Sequence, residues 1–230
     1  MMEKKAIEFK PSNLDLLLAV IASIGMPLLC GFLYDFTGSF IPILIYYVIF
    51  CIGVVKWRKK SFEYHLPQNW DWKIFIALLA IQIITQILAL IIIIPAASFD
   101  AIGFYLTLFI WAPVNSIMEQ LIWIYVYDAF ARRFPGTPRK NLFVVLGILL
   151  SIILVGLIHA FFWGKFLPGF NHIAPFYQIF FVLQLIITPG YILLYTRTRS
   201  ILPIALIHII SDVALVIGAG YSILPSLFIF

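Results

Sequence analysis

Seven long apolar runs dominate this chain, and about 20 apolar residues is the length at which a helix crosses the hydrocarbon of a bilayer. The runs cover approximately 14–34, 40–55, 72–97, 101–130, 142–163, 174–195 and 201–219 of the 230 residues. Backbone groups inside lipid must pair within their own segment, so such runs predict an all-α, polytopic transmembrane bundle of about seven to eight helices. The composition agrees: 63% of residues are apolar, 11% are charged and the mean hydropathy is +1.08. A soluble domain has about a quarter of its residues charged, which excludes a soluble enzyme, a disordered chain and a disulfide scaffold. The fourth run is long and holds Pro113. A tilted or kinked helix is expected there, or a short helix followed by a longer one. The first run is too long for a signal peptide, and no small-residue cleavage site precedes Tyr34, Asp35 and Phe36, so it is read as a retained helix. Residues 221–230 are too short to span and are expected as a half-buried tail.

The net charge of +5 and the pI near 9.2 do not mark a nucleic-acid binder, because the basic residues sit in short clusters between apolar runs. Lys4, Lys5 and Lys10 precede the first run, and Lys56, Arg58, Lys59, Lys60 and Lys73 follow the second. Arg132, Arg133, Arg139 and Lys140 follow the fourth, and Arg197 and Arg199 follow the sixth. That places 14 of 15 basic residues on alternate loops, with Lys165 alone on the other side. Cytoplasmic loops accumulate Lys and Arg, so the pattern predicts a cytoplasmic N-terminus and a multi-pass protein, read here as residing in a prokaryotic plasma membrane. Cys30 and Cys51 fall at different depths, which argues against a disulfide or a thiol metal site. No repeat or linker divides the chain, so residues 1–230 are read as one membrane domain.

An ionisable group inside the bilayer is costly and usually faces the protein interior. Glu3, Glu8, Asp15, Asp35, Glu63, Asp71 and Asp100 fall in loops or at helix ends, and Asp128 lies one turn before Arg132 and Arg133. Glu119 and Asp212 remain. His65 and His172 are in loops, while His159 and His208 lie within apolar runs. His208 and Asp212 are four residues apart and share a helix face. Counted from the basic ends, Glu119 and Asp212 lie roughly 18 Å deep, His208 roughly 12 Å and His159 roughly 27 Å. Any one of them is a plausible helix-to-helix contact worth about 1 kcal/mol or less. Four together, with nearly every other charge kept out of the spans, point to a functional cluster, expected to line one cavity opening towards the cytoplasmic half. Asn115, Gln120 and Gln184 are read as helix contacts or supporting partners, and the tryptophans and most tyrosines as interface or packing residues.

The order of these residues resembles the CPBP family of intramembrane proteases, also called the Abi family, which includes the type II CAAX prenyl endopeptidases. The family shows EExxxR on one helix, FxxxH on the next and HxxxN or HxxxD on a later one. The counterparts here are Glu119-Gln120 with Ile124, Val155 with His159, and His208 with Asp212, the last preceded by Pro203. The resemblance covers roughly 111–219, within a protease-like core read as approximately 101–219. It departs from the family where the second Glu is Gln120, the Arg is Ile124 and the Phe is Val155. Glu and Arg are lost together, which leaves no orphan charge.

The resemblance implies an endopeptidase that hydrolyses a peptide bond in or near the membrane, with a peptide or prenylated-protein substrate and the lipid bilayer as its partners. Glu119, held near His159, would take a proton from water, while His208 and Asp212 orient and stabilise the oxyanion. The same four residues would be the ligands if Zn²⁺ were bound, and a metal-free arrangement is the alternative. Outside that reading stand a catalytically inactive relative acting as membrane scaffold or bacteriocin-immunity protein, a bis-His haem protein ligated by His159 and His208, and a transporter.

Overall fold

The computed structural model describes residues 9–228. Glu3, Lys4, Lys5 and Glu8, and the last two residues of the tail, lie outside the described residues. Seven helices are long and apolar enough to cross a membrane: α1 (Asn13–Thr37), α2 (Phe40–Lys59), α3 (Trp72–Ile92), α4 (Ala101–Ala131), α5 (Lys140–Phe161), α6 (Phe176–Thr198) and α7 (Leu202–Ala219). Among the described residues there is no strand, only an isolated antiparallel bridge between Ile93 and Phe170. The chain is an integral, multi-pass membrane protein.

Local chemistry sets the helix ends. Asp71 accepts a hydrogen bond from the Ile74 N–H and Asp100 from the Gly103 N–H, so each carboxylate satisfies a free donor in a first helical turn. Lys60, Arg199 and Gly220 adopt positive φ and close α2, α6 and α7. The third apolar run continues to Ala97, yet α3 stops at Ile92. Pro95 disfavours helical backbone at Ile94, and the freed groups pair with another loop instead. The Ile94 N–H donates to the Gly169 carbonyl at 2.9 Å, and the Asn171 N–H donates to the Ile92 carbonyl at 2.7 Å. Pro113 does not break α4. A π-helical turn, Thr107–Trp111, precedes it and absorbs the missing donor, leaving one continuous element. The tail packs as a half-buried segment: the Ser39 N–H donates to Ser226 O and the Ile223 N–H to Thr107 Oγ1.

The bundle is built around α4, which packs against α1, α2, α5 and α7, while α3 packs against α6 and α7. From Glu119 to Phe130 every residue of α4 is buried. A close approach to α5 requires Gly147, where a Cβ would lie 2.9 Å from the Tyr127 carbonyl oxygen. Polar side chains on α4 are thereby withdrawn from lipid on all sides. At the basic end they are tied to charges on neighbouring helices. Lys59, 3% exposed, donates to Asp128 at 2.7 Å and also bonds Glu63, and Tyr195 donates to Asp128 at 2.6 Å. Buried Asp15 receives the Arg58 guanidinium at 2.8 and 2.9 Å and the Tyr125 hydroxyl at 3.0 Å. Cys30 and Cys51 are both free and buried.

Candidate active site

Asn115, Ser116, Glu119, Gln120 and Trp123 recur at one- and two-turn spacings on α4, which carries them along the side that meets α7. Glu119 is fully buried. Its Oε1 accepts from Trp163 Nε1 at 2.8 Å and from the Tyr46 hydroxyl at 3.2 Å. Its Oε2 has no hydrogen-bond partner and lies 3.7 Å from His208 Nε2. On α7 the same Nε2 lies 3.6 Å from Asp212 Oδ1. The other oxygen of Asp212 accepts from Asn115 Nδ2 at 2.9 Å and from Ser116 Oγ at 2.7 Å. Tyr47 in turn donates to Asn115 Oδ1 at 2.5 Å. The His208 ring stacks on Trp123 at 5.3 Å, and its Nδ1 is 2.5 Å from Gln120 Nε2. An amide nitrogen can only donate, so Nδ1 accepts and Nε2 carries the proton, pointing it between two carboxylates. That tautomer suits its surroundings, since a bare Nε2 lone pair there would face like charge.

Three of the four residues singled out in the sequence, Glu119, His208 and Asp212, therefore meet directly. His159 is placed differently: its Nδ1 donates to the Val155 carbonyl at 2.7 Å, and its ring lines a cavity of about 550 Å³ together with His208 and Asp212. The imidazole beside Glu119 is His208 rather than His159. The missing link between His159 and Glu119 is Trp163, one turn beyond His159, which lines the cavity and holds the Glu119 carboxylate. No residue of the basic loops lines the cavity. It runs from His208 and Asp212 to Leu167 and Phe170, which follow α5 at the opposite end of the bundle, and the exposed Gly156, His159 and Ala160 on α5 face Phe181 and Leu185 on α6 across its side.

Sequence reasoning passed over Trp163, Tyr46 and the contact that Gln120 makes with His208. Tyr46 and Tyr47 carried a signal, lying in the middle of a run where an interfacial tyrosine has no water to reach. Zinc does not fit these side chains as they stand. Among the described residues no three His, Cys, Asp or Glu side chains are grouped to hold a metal ion.

Residues 101–214, about half of the chain, match the family described as type II CAAX prenyl endopeptidase Rce1-like. The chain belongs to the CPBP family. Neither a curated relative nor a solved structure matches it. The matched segment runs from the start of α4 into α7 and contains Glu119, His159, His208 and Asp212. The CPBP match therefore coincides with the part of the bundle that forms the cluster, and α1, α2 and α3 lie outside it. Ile124, where the CPBP motif has Arg, is 1% exposed in an apolar setting. No carboxylate stands at position 120 to demand a cation.

Proposed function

We propose that the chain is an intramembrane endopeptidase of the CAAX-protease type, in which Glu119, His159, His208 and Asp212 act on one peptide bond. The single observation that carries this is the unpartnered Oε2 of a fully buried Glu119, 3.7 Å from the imidazole of His208, which lines the cavity one layer in front of it. Leaving a buried carboxylate oxygen without a donor is costly, and such cost is tolerated where the group has work to do.

The roles follow from the donors and acceptors. Trp163 and Tyr46 occupy Oε1, which orients the carboxylate and leaves Oε2 to accept a proton from a water molecule. With Nδ1 committed as a donor to Val155, His159 presents a bare Nε2 to the cavity and can accept the water's other hydrogen. As the water oxygen bonds to the substrate carbonyl carbon, its proton passes to Glu119 Oε2 and negative charge develops on the carbonyl oxygen. The His208 Nε2–H, which rests between the two carboxylates, turns to receive that oxyanion once Glu119 has taken the proton, and Asp212, itself fixed by Asn115 and Ser116, steadies the ring. Collapse breaks the C–N bond, and the proton held by Glu119 moves to the leaving amine. The basic end of the bundle, by the excess of Lys and Arg there, faces the cytoplasm.

A purified wild-type protein and its Glu119→Gln variant, compared on a farnesylated peptide and on unmodified apolar peptides, test this reading. Cleavage by wild type, lost in the variant with the fold intact, is expected. Equal cleavage by both sinks the mechanism. A wild type that cuts none of them favours the inactive scaffold or immunity protein, a reading that rests on Gln120 and Ile124.

A further inference from the structure

Two adjacent tyrosines on α2, outside the matched segment, reach towards different carboxylates of the cluster. Tyr46 donates to Glu119 at 3.2 Å, and Tyr47 donates to Asn115 Oδ1 at 2.5 Å. Neighbouring side chains on an α-helix point about 100° apart. Here both are buried and turned to α4, within a stretch of α2, Ile45–Val54, that is π-helical. Its i→i+5 bonding puts more residues in each turn and narrows the angle between neighbours, and such stretches are frequent at functional sites. The two rings lie 5.4 Å apart and both meet Trp163, at 6.0 and 6.4 Å.

We propose that Tyr47 is a positioning residue for Asp212, acting through Asn115, so that α2 aims both carboxylates of the centre, Glu119 through Tyr46 and Asp212 through this relay. The inference rests on the endopeptidase reading above. Asn115 has one accepting end and one donating end. The Tyr47 hydroxyl gives its proton to the carbonyl oxygen, and the amide nitrogen donates to Asp212 Oδ2 at 2.9 Å. Each donation polarises the next, which strengthens the chain beyond its separate bonds. With Oδ2 taken by Asn115 and Ser116, Asp212 presents Oδ1 to His208, 3.6 Å from Nε2. Without the Tyr47 hydroxyl, the buried Asn115 carbonyl loses its donor, and the side chain gives up its aim at Asp212 to find another. Ser116 still holds Oδ2, so the effect on Asp212 is partial.

A double-mutant cycle on the full-length protein in detergent separates positioning from packing. Tyr47→Phe keeps the ring and its contacts with Tyr46 and Trp163. It is expected to lower kcat about fivefold at unchanged KM, the scale of one buried hydrogen bond. Asn115→Leu should lower kcat at least as much, and Tyr47→Phe added to it should lower kcat no further. Asn115→Ala closes the same cycle if the leucine is not accommodated. Nitrogen-15 NMR of the His208 ring reads the relay without turnover: Tyr47→Phe should shift the Nε2–H signal, and should leave it in place once Asn115 has been replaced. An unshifted signal in Tyr47→Phe overturns the inference, and so does a shift of equal size with and without Asn115. A fall in kcat of equal size in both backgrounds also overturns it, because Tyr47 would then act by packing. The expected NMR cycle without any cleavage by wild type leaves the relay standing and defeats the endopeptidase reading.

Discussion

Two groups of buried charge sit in the same bundle and are built in opposite ways. At the basic end, Lys59, Glu63, Asp128 and Tyr195 form a network of opposite charges, with Arg132 drawn to Asp128 as well, and buried Asp15 is met by Arg58, Ser12 and Tyr125. In the middle, two carboxylates face one imidazole at 3.6 and 3.7 Å, no Lys or Arg among the described residues pairs with them, and one oxygen of Glu119 has no donor. The first group compensates its desolvation and joins α2, α4 and α6. The second is held in place by neutral donors while its charge stays uncompensated. Burial alone does not distinguish a clamp from a reactive site; what distinguishes them is whether each charge has been given a partner.

The largest effect expected from this contrast is on turnover. Glu119→Gln keeps the size of the side chain and its bonds to Trp163 and Tyr46 but cannot take a proton, so cleavage should fall by about 10² to 10⁴. Its thermal unfolding in detergent should be no lower than that of wild type, because a neutral amide removes an uncompensated charge. A fall in both activity and melting temperature would place Glu119 with the clamps. Asp128→Leu should do the reverse. It strips Lys59 and Tyr195 of the more deeply buried of the two carboxylates they share, Glu63 being the other, and is expected to destabilise the bundle by about 3 kcal/mol, the scale of a broken buried pair. Adding Lys59→Met should recover most of that loss, while the folded fraction cleaves peptide normally throughout. Recovery that fails to appear would show that Asp128 acts on its neighbours by some route other than charge.

Orientation can be read separately from either effect. With the basic end in the cytoplasm, an impermeant thiol reagent should label Lys165→Cys on intact cells and leave Arg139→Cys untouched. The reverse pattern would put the clamp outside and the mouth of the cavity inside.

Much of this arrangement was legible in the residues. Span length, the alternation of basic loops and the four-residue spacing of His208 and Asp212 are local quantities, and the helices keep them. Counting residues from the basic ends also put Glu119 and Asp212 at one level, and Asn115 and Ser116, a turn before Glu119, do hold Asp212. The same counting misjudged the cavity, because depth along a helix says nothing about which pair of helices leaves a gap. Likewise Trp163 and Tyr46 could not be told from interfacial aromatics, since only packing against α4 turns their donors inward. The end of α3 was missed for a similar reason: Ile93 and Ile94 are apolar enough to continue the span, but their backbone pairs with a loop more than 70 residues away.

The smallest and most discriminating effect concerns Gln120, which a family comparison marks as a lost charge and the geometry marks as a contact. Its amide donates to His208 Nδ1 at 2.5 Å and so selects the tautomer that carries the proton on Nε2. A carboxylate at that position would accept from Nδ1–H instead, and would hold the ring as the other tautomer or as the cation. Gln120→Leu should therefore lower kcat by about tenfold with little change in KM, since what is lost is the aim of an oxyanion donor, not substrate contact. Gln120→Asn, able to donate but shorter, should recover part of the loss. Nitrogen-15 NMR of the His208 ring reads the same event without turnover: wild type should show Nε2–H alone, and Gln120→Leu a mixture. If Gln120→Leu is fully active and its ring still protonated only at Nε2, the tautomer is set by Glu119 and Asp212. Gln120 would then be a packing residue of α4 like its neighbour Leu121.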